Sequence, residues 1–140
     1  MIDIENKVVN EIKTTLVAQY PEIKVYAEFI PEKATYPCVS VNEITNMVAE
    51  QYRDCSAIEN YAIIGYEINA FSEGTNNKAQ CKNIVENIDN TMLGLGFTRT
   101  SKTPIPNSDR SIYRIVIRYS GLVSKGITKG SNTKYTIYKN

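Results

Sequence analysis

At 140 residues, with 42% hydrophobic and 22% charged side chains, the chain has the length and composition of one ordinary globular domain. It holds no histidine, which excludes histidine-based triads and any zinc site that needs an imidazole, though not carboxylate catalysis. The formal charge of +1 hides a split: residues 1–96 carry 7 Lys/Arg against 14 Asp/Glu, a net of −7, and residues 97–140 carry 9 against 1, a net of +8.

A domain of this size buries roughly 68–70% of the surface its unfolded chain would expose, enough for a core without disulfide or metal support. Cys38, Cys55 and Cys81 form no CxxC pair and read as reduced, core-filling thiols. No apolar run approaches the ~18 residues of a membrane span. The acids Asp3, Glu5 and Glu11 in the first helical pattern do not suit a signal peptide.

In chain order, Ile4, Val8, Ile12 and Leu16 recur every four residues and predict an amphipathic helix over 2–19, with Asp3 as N-cap and Pro21 preventing continuation. EIKVYAEFIP at 22–31 alternates as a strand does, and the prolyl loop PEKATYP leads into a second strand, CVSVNEI, at 38–44. Residues 45–58 fit either a polar loop or an edge strand around 48–53. NYAIIGYEINAF at 60–71 is apolar on both faces near its start, as an interior strand should be. A second helix over about 76–94 carries the core stripe Cys81, Ile84, Val85, Ile88, Met92 and Leu95, stopped by Gly94 and Gly96.

A strand over 97–103 and a turn at 104–109 (PIPNSD) come next. In the strand SIYRIVIRYSGLV at 111–123, Tyr113, Ile115, Ile117 and Tyr119 share one face while Arg114, Val116 and Arg118 share the other. A slip of one residue would bury both arginines, so its register is tightly specified. The expected fold is α+β, in the order α-β-β-β-α-β-β. A mainly antiparallel sheet of four to five strands carries two amphipathic helices packed on one side. Residues 1–124 form this single domain. Residues 125–140 form a basic arm with too few apolar residues to fold alone, expected to order on assembly by adding its KYTIYK stretch as a strand to a neighbour's sheet edge.

Three patterns invite chemistry. SEGTNNK at 72–78 joins a strand to a helix, where nucleotide-binding chains cradle phosphate, but it has one glycine and no Ser or Thr after the lysine. A turn at Gly74 and an N-cap at Thr75 account for it. LGLGF at 93–97 reads as a helix C-cap. Glu28, Glu32, Glu43 and Glu67 show no spacing that pairs them as acid and base, so they read as surface charges. No catalytic, cofactor-binding or metal-ligating residue emerges.

Taken together, the segments resemble a known family. The helix leading to EIKVYAEFIPE, the YPCVSVNEI strand, GYEINAFSEG entering an asparagine-rich helix, and MLGLGFTRTSKTPIPNSDRSIYRIVIRYSGLV are similar to tail terminator (tail completion, or minor tail) proteins of long-tailed phages and prophages. The likeness covers roughly residues 1–124. It implies a virion protein, made in the bacterial host cytoplasm and located in the tail or neck. Such a protein closes into a homo-oligomeric ring, usually hexameric, on the head-proximal end of the tail tube. It implies no enzymatic activity and no cofactor. The implied partners are further copies, the tail tube protein, the head–tail connector or head-closure protein and, in a contractile tail, the sheath. Passing DNA would be touched without sequence specificity, and no membrane is involved.

The residues themselves are compatible with a ring, because head-to-tail contacts need two different complementary patches and the charge split supplies them. Arg114, Arg118, Lys125, Lys129, Lys134 and Lys139 are the candidates for a subunit interface or a DNA-facing lumen. The alternatives are another neck or head-closure adaptor, a small nucleic-acid-binding protein, and an enzyme built on carboxylates.

Overall fold

Period-four apolar positions make the first helix, and period-two positions make the strands around it. A computed structural model describes residues 2–27, 30, 35–48, 61–106, 111–126 and 134–138. Its elements are α1 (Glu5–Gln19), β1 (Lys24–Tyr26), β2 (Cys38–Val48), β3 (Tyr61–Glu73), α2 (Asn77–Leu95), β4 (Thr98–Ile105), β5 (Ile112–Gly126) and β6 (Lys134–Tyr138). They form one six-stranded sheet in the order β1-β2-β3-β5-β4, with β6 also paired to β5. Among the described residues β1 and β2 run parallel, and the other pairings are antiparallel.

The α+β architecture and element order are those expected from the sequence, and the additional strand comes from the arm. β3 pairs with β5 from Tyr61↔Ser124 to Glu73↔Ile112. The opposite edge of β5 is therefore shared end to end by β4, along residues 114–120, and β6, along residues 122–126. The arm strand thus lies on its own chain's sheet. Other differences are local. β2 runs on to Val48 instead of ending at Ile44, and β4 takes in Pro104 and Ile105, which the sequence had suggested for a turn. A proline is tolerated there because β4 is at the sheet edge. The remainder of that turn, residues 107–109, and residues 49–58 lie outside the described residues.

Both helices pack on one face of the sheet. Val8, Ile12 and Leu16 of α1 and Cys81, Ile84, Val85, Ile88 and Met92 of α2 join a single core with Ile64, Tyr66 and Ile68 of β3 and Ile115, Ile117 and Tyr119 of β5. Gly96, in the left-handed region at φ 108°, ends α2 and turns Phe97 into that core. Phe97 meets the Tyr66 ring edge-on at 5.6 Å. On the outer side of the helices a ladder of neutral groups joins α1 to α2. Asn87 Nδ2 donates to Gln19 Oε1 at 2.9 Å, Asn83 Nδ2 to the Tyr20 hydroxyl at 2.6 Å, and Thr91 Oγ1 to Thr15 Oγ1 at 3.1 Å.

The cap of α1 differs from expectation. Ile4, not Asp3, is the α1 N-cap residue, and the Asp3 carboxylate accepts the Glu5 N–H at 3.1 Å. Asp3 serves the helix start from one position further out, because Ile4 is drawn into the core.

Burial also sets the alkaline limit of the fold. The buried Cys38 thiol is pushed up to about 11 and the Cys81 thiol to about 12, and the tyrosines Tyr66 and Tyr119 move in the same direction, all chiefly through desolvation. An unfolded thiol ionises near 8.5, so above that pH the unfolded chain binds fewer protons than the folded one. The stability these groups contribute is complete below about pH 8 and lost as pH rises towards their folded values. Urea denaturation at pH 7.5 and pH 10 should show a loss of about 1 kcal/mol or more at the higher pH.

Candidate functional site

On β3 and β5, alternation sends one set of side chains to the helices and the other to the opposite face. Register places Arg118 opposite Glu67, Val116 opposite Asn69 and Arg114 opposite Phe71 on that second face. Arg118 donates from Nε to Glu67 Oε2 at 3.1 Å, with Nη2 at 3.1 Å from the same oxygen. Arg114 donates from Nε and Nη2 to Asn69 Oδ1, at 3.1 and 2.7 Å, and its guanidinium lies 5.4 Å from the centroid of the Phe71 ring. Both arginines named from the sequence are thus brought together and held against the sheet by β3. An exposed pair such as Arg118–Glu67 contributes about 0.2–1 kcal/mol and mainly fixes the side chains in place.

The same face carries an apolar row, Met47–Ile63–Leu122, across β2, β3 and β5. Met47 is 54% exposed, and Ile44, at a bulge in β2, is 51% exposed. Large apolar side chains grouped on a surface mark an interaction site. Sequence reading placed Ile44 at the end of the second strand and left 45–58 open between a polar loop and an edge strand around 48–53, so it did not group Ile44, Met47 and Val48.

The two edges of the sheet differ. Among the described residues, β2 has a strand partner on its outer side only at Cys38–Ser40, where β1 pairs with it. Near residues 41–48 lie the carboxylates of Asp3, Glu5 and Glu43. Partial burial raises the Glu43 carboxyl, a bond from the Asn46 amide opposes this, and Asp3 and Glu5 add to the rise. Among the described residues none of the three forms an ion pair. On the opposite edge, Lys125 and Lys134 occupy register positions beside Tyr135 and Gly126 in the β5–β6 hairpin. Lys129 and Lys139 lie outside the described residues.

The strand–helix junction is built as a turn. Gly74 has φ 107°, and its N–H donates to the Ser111 carbonyl at 3.2 Å, so this N–H is directed at protein. Asn76 is the N-cap residue, without a side-chain capping bond, so Thr75 does not cap α2. The Asn77 side chain instead donates to the Ser111 carbonyl at 2.9 Å, fastening the helix start to β5. Asp89 and Arg99 pair at 2.9 Å, and Asp89 also accepts the Tyr119 hydroxyl at 2.8 Å, tying α2 to β4 and β5. Among the described residues, no group of three or more Cys, Asp or Glu is arranged to hold a metal ion. No helix among them is long and apolar enough to cross a membrane.

No family model matches the chain, and no curated protein matches it.

Proposed function

We propose that this chain is a structural subunit of a phage or phage-like tail. On this reading it forms a ring, hexameric by the family resemblance, on the head-proximal end of the tail tube, where it ends tube polymerisation and docks the head connector. The observation that supports the reading best is how the resembling segments come together. GYEINAFSEG supplies β3 and its turn, and RIVIRYSGLV supplies β5, the strand to which β3, β4 and β6 all pair. An apolar row and two edges of opposite charge then give one subunit the two unlike surfaces that a head-to-tail ring requires.

The fixed arginines bear on the nucleic-acid alternative. Arg118 already neutralises Glu67, and Arg114 is held on Asn69 and Phe71. The Arg118 side chain is nonetheless 54% exposed, so a salt titration of DNA binding is the measurement that separates the two readings.

Deleting the gene from a particle-producing strain should yield tubes of uncontrolled length without heads, seen by negative-stain microscopy. Labelled protein supplied in trans should appear at one end only. Normal-length, headed tails from the deletion strain would overturn the proposal.

A further inference from the structure

Resting on the ring reading above, we infer that neighbouring copies meet edge to edge through side chains, the carboxylates of Asp3, Glu5 and Glu43 beside β2 of one copy receiving Arg99 and Lys102 from β4 of the next. Strand register aligns these groups. Glu43, Tyr66, Tyr119 and Arg99 form one row across β2, β3, β5 and β4, and Val41, Ile68, Ile117 and Lys102 form the next row on that face. Side chains directly opposite one another share a face of a sheet, and Tyr66, Tyr119, Ile68 and Ile117 belong to the core beneath the helices. Glu43 and the two basic groups thus stand on the helix side, at opposite ends of adjoining rows. Head-to-tail contacts close into a ring only when there is no rise from copy to copy. With the strands along the ring axis, these rows keep acid and base at one height.

The neighbour's strand does not extend the sheet. β1 pairs with the outer side of β2 at Cys38–Ser40, and register puts Thr103, Pro104 and Ile105 of β4 at the same height. A neighbour's β4 laid directly on β2 would run into β1. It therefore stands off by the width of β1, about 10 Å from β2, a distance that side chains from both edges bridge together. Charge then decides the fit. Among the described residues Asp3, Glu5, Glu43 and Lys102 form no ion pair, and Arg99, held by Asp89 at 2.9 Å, keeps its side chain 46% exposed. The Tyr66 hydroxyl, buried and without a hydrogen-bond partner among the described residues, is acted on by the same three carboxylates. A cation set among these acids offsets their mutual repulsion, and opposite charge selects which edge meets which. Ile44, exposed next to Glu43, adds an apolar part to the contact.

The test treats the full chain with a water-soluble carbodiimide, which joins an amine directly to a carboxylate, and maps the products by mass spectrometry. Within one copy Glu43 and Lys102 sit on strands three spacings apart, about 14 Å, too far for a bond without a spacer. Covalent oligomers should therefore contain the Lys102–Glu43 linkage. Separately, Lys102→Glu and Glu43→Lys should each weaken association about tenfold or more in sedimentation, and the charge-swapped double variant should recover it. Rings that form without this linkage and without recovery by the swap would overturn the edge contact and leave the ring reading standing. A chain that stays monomeric at every concentration and on isolated tails would overturn both.

Discussion

Gly121→Ala is expected to destabilise the fold by about 1–3 kcal/mol, with a larger loss for any bulkier side chain. Gly121 pairs with Ile64 on the helix-facing side of β5. A Cβ placed there would lie 2.7 Å from Phe97 Cδ1 and 2.9 Å from Cε1. The ring cannot withdraw easily, because Phe97 is 2% exposed and packs against Tyr66. Urea unfolding of Gly121→Ala, Phe97→Leu and the double variant would check this. The smaller Leu makes room for the new methyl, so the double variant should lose less than the sum of the single losses. Strictly additive losses would mean that the glycine and the ring do not compete for space.

Two buried tyrosines should respond oppositely to loss of the hydroxyl. Tyr119 and Tyr66 are 1% and 0% exposed. The Tyr119 hydroxyl donates to Asp89 at 2.8 Å, and Asp89 also holds Arg99. Tyr119→Phe removes a hydrogen bond to a charged group and should cost about 1.5–3 kcal/mol. The Tyr66 hydroxyl is buried with no hydrogen-bond partner among the described residues, while the carboxylates of Glu43, Glu5 and Asp3 act on it electrostatically. A polar group left unsatisfied by folding costs about 1–3 kcal/mol, so Tyr66→Phe should leave stability unchanged or raise it by up to that amount. Thermal and chemical denaturation of the two variants would read the contrast. Equal losses would show that Tyr66 has a partner.

Much of the fold was legible because single-sequence periodicity reports burial directly. The four-residue stripe of α1 and the 0, 3, 4, 7 stripe of α2 from Cys81 became the buried faces of those helices. In β5 the alternation that put Ile115 and Ile117 against Arg114 and Arg118 separated the helix face from the opposite one. What periodicity does not encode is which backbone N–H a polar side chain will meet. Asp3 and Thr75 were therefore assigned as caps one residue from where the helix boundaries fall. Nor does it encode partners distant in sequence. That Arg118 would meet Glu67, and that Asp3 and Glu5 would come near Glu43, depends on strand register and on how α1 crosses the sheet. The end of β2 was obscured because Thr45 and Asn46 look like loop residues, and the exposed Ile44, Met47 and Val48 are apolar side chains left on the surface of that strand.

The amide and hydroxyl ladder between α1 and α2 has a consequence for the protein's working conditions. Its donors and acceptors carry no formal charge, so dissolved ions have nothing there to screen. The helical layer should stay fastened at low and high salt alike, whereas the Glu67–Arg118 contact on the other face weakens as ionic strength rises.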